Sequence, residues 1–218
     1  MLYFKTTPAL NEQEQVAYAA ALDDYVNKAL YASDSPLECV RAVHRLIQEN
    51  VTYPRQKLNM EGAISVSVLP DTKEGQHYIS AYGALVNKRA NSYGIARAVD
   101  AILCDPRIGI ECQLVEGCLL DEDVVPSMHL WNIVTIGRKS YHVDTACEIM
   151  SSAQAVRRTG EPGVPLKALD SNELPMIEAL VATYRYGLVS DDVMRADHIW
   201  HSDTTPNCLS SYVPVAHR

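Results

Sequence analysis

Positive charge is scarce in this sequence: 19 Lys and Arg stand against 27 Asp and Glu, for a formal net charge of -8. No run of basic residues forms a stripe, and a nucleic acid or an anionic membrane surface would require one. Long apolar runs are missing as well. No stretch approaches the ~18 apolar residues of a membrane span. The opening MLYFKTTPALNEQEQ has neither the basic nor the apolar region of a signal peptide. The reading of location therefore stays open between the cytoplasm and, for an excised domain, the cell surface. Six cysteines are present (Cys39, Cys104, Cys112, Cys118, Cys147 and Cys208). They form no CxxC pair and show no zinc-ligand spacing, so no metal is expected. Apolar settings such as Cys39 before Val40 suit buried, reduced thiols that behave as small hydrophobes. The acidic run Asp121-Glu122-Asp123 lacks the Gly and spaced oxygens of a calcium loop and reads as a solvated loop. Nothing in the chain asks for a cofactor.

What is present is ample apolar material for one core, 47% of 218 residues. Residues 1–34 read as an N-terminal helical segment and 35–218 as the core of one compact domain. Tyr18, Leu22, Tyr25, Val26 and Ala29 share one face of a helix over 12–31. Ser35-Pro36-Leu37-Glu38 offers a capping Ser, a Pro at the first helical position and a Glu at the third. Val40, Val43 and Ile47 then form a stripe, and Tyr53-Pro54 stops the helix. Residues 55–78 read as a long connection with a short strand at 64–69, and 80–86 as a helical turn. From Ser92, the residues Ile95, Val99, Ile102 and Leu103 recur at helical spacing until Cys104-Asp105-Pro106. The period then changes. Residues 111–120, 128–137 and 139–146 carry strand composition, the last two joined tightly through Gly137-Arg138-Lys139. Residues 151–173 read as a loop, and 193–200 as a helix capped by Ser190-Asp191-Asp192. Helices first and a hairpin-rich sheet afterwards predict an α+β fold.

Three polar positions carry the candidate chemistry. Ser92 opens a helix, where free amides and the dipole favour negative charge and where a thiol would be acidified. His129 and Asp144 fall on opposite arms of the expected hairpin, within a residue or two of direct opposition. Diagonal neighbours there are roughly 7–8 Å apart, inside side-chain reach. An Asp that accepts from the imidazole completes a nucleophile, base and orienter. Each residue also has a plainer role: Ser92 as a helix cap, His129 as a packed core residue, Asp144 as the start of a turn. His142-Val143-Asp144 offers two metal ligands without a third.

Order and context resemble the bacterial members of the transglutaminase-like (transglutaminase/protease) superfamily. The family's nucleophile segment matches Tyr82-Gly83-Ala84-Leu85-Val86 followed by Ser92-Tyr93-Gly94-Ile95-Ala96-Arg97-Ala98. Its His strand matches His129-Leu130-Trp131-Asn132-Ile133-Val134, and its Asp strand Tyr141-His142-Val143-Asp144. His44, Ile47, Asn50 and Tyr53 match its upstream helix, and Ser190-Asp191-Asp192-Val193-Met194 with His198-Ile199-Trp200 its tail. The tail explains His198 and His201 better than metal binding does. The resemblance implies a papain-like core, with the nucleophile at a helix start packed on an antiparallel sheet. It also implies acyl transfer from a carboxamide of a peptide or protein substrate to water or an amine. His129 would be the base and Asp144 the orienter, with the Ser92 amide and the Tyr82 hydroxyl holding the oxyanion. Tyr93 and Trp131, beside the nucleophile and the base, are assigned to the substrate cleft.

The departure is Ser92, where the family carries cysteine. A hydroxyl gains little from a resting ion pair with His129 and must lose its proton during attack. None of the six cysteines is placed at the site by sequence. Three readings follow: an altered nucleophile in an otherwise intact enzyme, a degenerate site that binds peptide or cell-wall material without cutting it, or a Ser-His-Asp hydrolase. A bulky side chain such as Tyr93 or Trp131 filling the cleft would speak against catalysis.

Overall fold

The computed structural model describes residues 9–32, 35–53, 57–58, 64–65, 72–121, 124–151 and 185–212. Helix α1 runs Glu12–Ala32 and α2 runs Pro36–Asn50. Both follow the expected periodicity: Tyr25, Val26 and Ala29 of α1 and Val40, Val43 and Ile47 of α2 are buried in one cluster. Pro36 starts α2 as expected, but the Ser35 side chain makes no capping hydrogen bond. Glu38 instead pairs with Arg41 at 2.9 Å and accepts from the Tyr212 hydroxyl at 2.9 Å.

The long connection holds a two-residue ladder, Lys57–Leu58 (β1) with Ile64–Ser65 (β2). The rest of the expected strand at 64–69 lies outside the described residues. A helix that periodicity did not indicate, Lys73–Tyr78 (α3), follows. Its Thr72 cap accepts from the Gly75 amide at 3.0 Å. The turn Ala81–Leu85 (α4) comes next, and then α5, Ser92–Leu103. Ile95, Val99, Ile102 and Leu103 of α5 are buried against α1 and α2.

Strands Glu111–Asp121 (β3), Val124–Ile136 (β4) and Lys139–Val143 (β5) then form the sheet, with Gly187–Val189 (β6) and His198–Trp200 (β7) at its edges. The order is β6-β5-β4-β3-β7, and every pairing is antiparallel. Ile136 opposes Lys139, so the hairpin turns on Gly137-Arg138, with Gly137 at φ 65. A glycine there supplies the positive φ that a tight hairpin needs. The class is α+β, with the start of α5 packed on an antiparallel sheet.

Two expectations are corrected. The strand expected over 139–146 ends at Val143, and residues 145–151 are helical (α6). The Asp144 side chain caps this helix, accepting from the Cys147 amide at 2.9 Å, and that captured amide ends the ladder. The helix expected over 193–200 covers only Asp191–Met194. His198–Trp200 is instead a strand with His198 and Trp200 buried and Ile199 exposed, paired to β3 through Gly117↔Trp200 and Leu119↔His198. The loop expected over 151–173 lies, after Ser151, outside the described residues, as do Glu122 and Asp123.

Strand alternation sorts β4 into two faces. Leu130 packs on Tyr93 and Ala96 of α5, and Asn132 donates to the Ala96 carbonyl at 3.0 Å. His129, Trp131 and Ile133 take the other face, where Trp131 and Ile133 join Cys147, Tyr186, Met194 and Trp200. β5 ends opposite Asn132, so Asp144 and the first turn of α6 fill the place beside His129. The six cysteines are all free.

Candidate active site

Ser92 is the first residue of α5, with Asn91 as its cap. The Asn91 Oδ1 accepts from the Tyr93 and Gly94 amides at 3.1 and 3.2 Å. The helix start is pressed against the α3–α4 corner. A Cβ on Gly94 would stand 2.6 Å from the Tyr78 carbonyl oxygen and 2.8 Å from that of Ser80, so only glycine fits. Ser92 is 3% exposed. The Tyr53 hydroxyl lies against it, in polar contact with both its side chain and its backbone amide. Burial pushes that hydroxyl up to about 12, and the nearby Cys147 and Asp144 add to the rise. The three leading amides of α5 thus face protein oxygens. Among the described residues no hydrogen bond joins Ser92 to His129.

The His129–Asp144 pairing expected from the hairpin is present. His129 Nε2 is 2.6 Å from Asp144 Oδ2, and both side chains are buried. Register explains it: Val143 opposes Asn132, which sets Asp144 diagonally from His129. The structure adds partners that the sequence left out. His198 Nε2 is 2.9 Å from the same Oδ2, and Cys147 Sγ is 3.6 Å from His129 Nε2 and 3.7 Å from His198 Nε2. The expectation that no cysteine reaches the site is therefore corrected. The strand reading of 139–146 hid the Asp144-x-x-Cys147 helix start, which returns Cys147 to Asp144.

Burial alone would raise the Asp144 pKa. The charges and hydrogen bonds of His129 and His198 outweigh burial and hold the carboxyl well below its usual range. An ionised carboxylate only accepts, so both imidazoles donate from Nε2–H. In neutral His129 the basic lone pair is then on Nδ1. Burial alone would lower His198, but its bonds to Asp144 and Asp197 raise it to about 9. Burial, reinforced by Asp144, pushes the Cys147 thiol well up, so it rests as S–H and not as a thiolate.

The other expected site residues lie close by but are committed elsewhere. The Tyr82 ring packs on His77 at 4.7 Å, and among the described residues no hydrogen bond joins it to Ser92. Tyr93 is 4% exposed, and its hydroxyl donates to Glu116 at 2.9 Å. Trp131 is 1% exposed and donates to His142 Nδ1 at 2.9 Å. Both side chains are buried. His142 and Asp144 do not act as a pair. His142 Nε2 meets Asp191 at 2.8 Å, in a second cluster with Cys208.

No family model matches the sequence, and no curated protein matches it. Solved structures resemble the chain, among them these two. One is a TGase, 14% identical, with a TM-score of 0.48, over 79% of this chain and 40% of that one. The other is a candidate cysteine protease from Cytophaga hutchinsonii, 13% identical, with a TM-score of 0.41, over 66% of this chain and 46% of that one. The chain therefore spans less than half the length of either.

Proposed function

We propose that the protein is built on a transglutaminase-like acyl-transfer site for amide bonds of peptides, and that with serine at the nucleophile position it does not turn them over. The supporting observation is the buried His129–Asp144 pair at 2.6 Å, whose tautomer leaves His129 Nδ1 as a base. In this reading Ser92 holds the nucleophile position, Asp144 orients the ring, and Tyr82 and the Ser92 amide would complete an oxyanion site. Attack by a thiol at position 92 on a carboxamide carbon would release the amine and leave a thioester. Water or a second amine would then resolve it. A serine hydroxyl gives up its proton far less readily than a thiol.

A second reading, a peptide- or cell-wall-binding module without catalysis, is favoured by the Tyr53 hydroxyl lying on Ser92. One experiment separates the two. Ser92→Cys is alkylated across a pH series, the parent chain correcting for the other thiols and peptide mapping locating the label. Alkylation at position 92 that is already fast near pH ~6, and slows in a His129→Ala background, supports a site built to form a thiolate. A half-point near the free-thiol value of about 8.5, indifferent to His129, removes the acyl-transfer reading. A fluorophosphonate that labels Ser92 in the parent chain would instead show a working Ser-His-Asp hydrolase.

A further inference from the structure

Asp144 belongs to a cluster of four groups, of which acyl transfer uses only two. His129 Nε2, an Asp144 oxygen, Cys147 Sγ and His198 Nε2 lie within 4.8 Å of one another, and all four residues are buried. Zn–S bonds of ~2.3 Å and Zn–N bonds of ~2.0–2.1 Å at a tetrahedral angle set sulfur and nitrogen about 3.5 Å apart. The two sulfur–nitrogen edges here, 3.6 and 3.7 Å, already have that length. The Asp144 edges, 2.6 and 2.9 Å, are hydrogen bonds. A cation at the centre would replace those N–H protons and open these edges to about 3.4 Å, the shorter one the more.

The groups behind the ligands point the same way. His198 Nδ1 is 2.6 Å from Asp197 Oδ1, the carboxylate–imidazole contact that fixes a metal-ready ring with Nε2 forward. The other Asp197 oxygen accepts from the Tyr186 hydroxyl. Asp144 Oδ1 is held by the Cys147 amide at 2.9 Å, which leaves Oδ2 to face the centre.

We propose that His129, Asp144, Cys147 and His198 form a closed, four-coordinate site for zinc or a divalent cation of similar softness. Two imidazoles, one thiolate and one carboxylate suit zinc, whereas magnesium and calcium prefer oxygen alone. All four positions are filled by protein, which marks a structural centre with no open place for water or substrate. The site does not rest on the acyl-transfer reading and excludes it while occupied. With Nε2 on the metal, neutral His129 keeps its proton on Nδ1 and is no base.

The second trio, His142, Asp191 and Cys208, lacks this property. His142 Nδ1 accepts from the Trp131 indole, so the ring proton stays on Nε2, the atom a metal would need.

The test is titration of the chelator-stripped full chain with Co2+, followed by displacement with Zn2+. One tight equivalent is expected, with the intense visible bands of tetrahedral cobalt and a thiolate-to-metal charge-transfer band in the near ultraviolet. Cys147→Ser should remove the charge-transfer band and weaken binding at least about tenfold. Cys208→Ser should change neither. Asp197→Asn should keep the band and weaken binding roughly 10–100-fold. If Cys147→Ser fails to fold, the Asp197→Asn and Cys208→Ser pair decides alone. Absence of a tight equivalent overturns the proposal. So does bound cobalt without thiolate charge transfer, a band that survives Cys147→Ser, or an affinity untouched by Asp197→Asn. None of these outcomes depends on the alkylation of position 92.

Discussion

Two clusters of histidine, carboxylate and thiol share one face of the sheet, with Trp131 between them. The Trp131 ring lies 6.1 Å from that of His129 and 6.3 Å from that of His142. Their composition is nearly the same, and their chemistry differs through the neighbour of a single ring nitrogen. In the first cluster a carboxylate stands behind His198 Nδ1, so Nε2 can release its proton and bind. In the second an indole N–H stands behind His142 Nδ1, so Nε2 must keep its proton and donate to Asp191. Burial widens the gap. The Asp144 side chain is 1% exposed and that of Asp191 19%. Ligand types alone therefore do not define a site, and the hydrogen-bond polarity behind each ligand must agree with them.

The sharpest way to break the comparison is to neutralise each carboxylate in turn. Asp144→Asn removes the partner of two buried imidazoles and should cost about 3–5 kcal/mol in urea unfolding of the metal-free chain. Asp191→Asn, at a wetter position, should cost about 1 kcal/mol. Equal losses would contradict the distinction.

The next effect is one of pH. His198 is raised from 6.5 to about 9 in the folded chain. Its contribution is therefore complete below about pH 6.5 and fades as pH climbs through about 9, by an amount on the order of 3 kcal/mol. Asp144 and Asp197 are lowered, so their contribution is present above about pH 4 and lost on acidification. The metal-free chain should be most stable between those limits. His198→Gln should flatten the alkaline slope in thermal melts run across pH. His142, lowered mainly by burial and only partly held up by Asp191, should yield no such alkaline slope.

The smallest effect is at the divide itself. Trp131→Phe removes one buried donor and should cost about 1 kcal/mol in the same urea assay. It also frees His142 Nδ1 to take the ring proton. A second, weaker cobalt equivalent in this variant would sharpen the account of why the second cluster declines metal.

Much of this arrangement was legible in the residues. The apolar stripes of α1, α2 and α5 announced the helices. The Gly137-Arg138 turn fixed a register that brings His129 to Asp144. Two kinds of information were out of reach. Short elements such as β7 and α6 carry too few residues for a period to show. A helix over 193–200 and a strand over 139–146 are equally natural readings of the residues, and each hides one member of the site, His198 and Cys147. The closure of Tyr53 over Ser92 depends on how α2 ends and α5 begins, a tertiary contact between residues 39 positions apart in the chain.

Asp144 divides its labour between two oxygens. One holds the first turn of α6 through the Cys147 amide, and the other holds the His129 and His198 rings. α6 is tied in turn to α2, where His44 Nδ1 meets the Thr145 hydroxyl at 2.9 Å. Fraying of that turn and loosening of the imidazoles are thus one event on one free-energy scale. The rate at which the Cys147 amide proton exchanges with solvent is then a clock for the opening of the whole constellation.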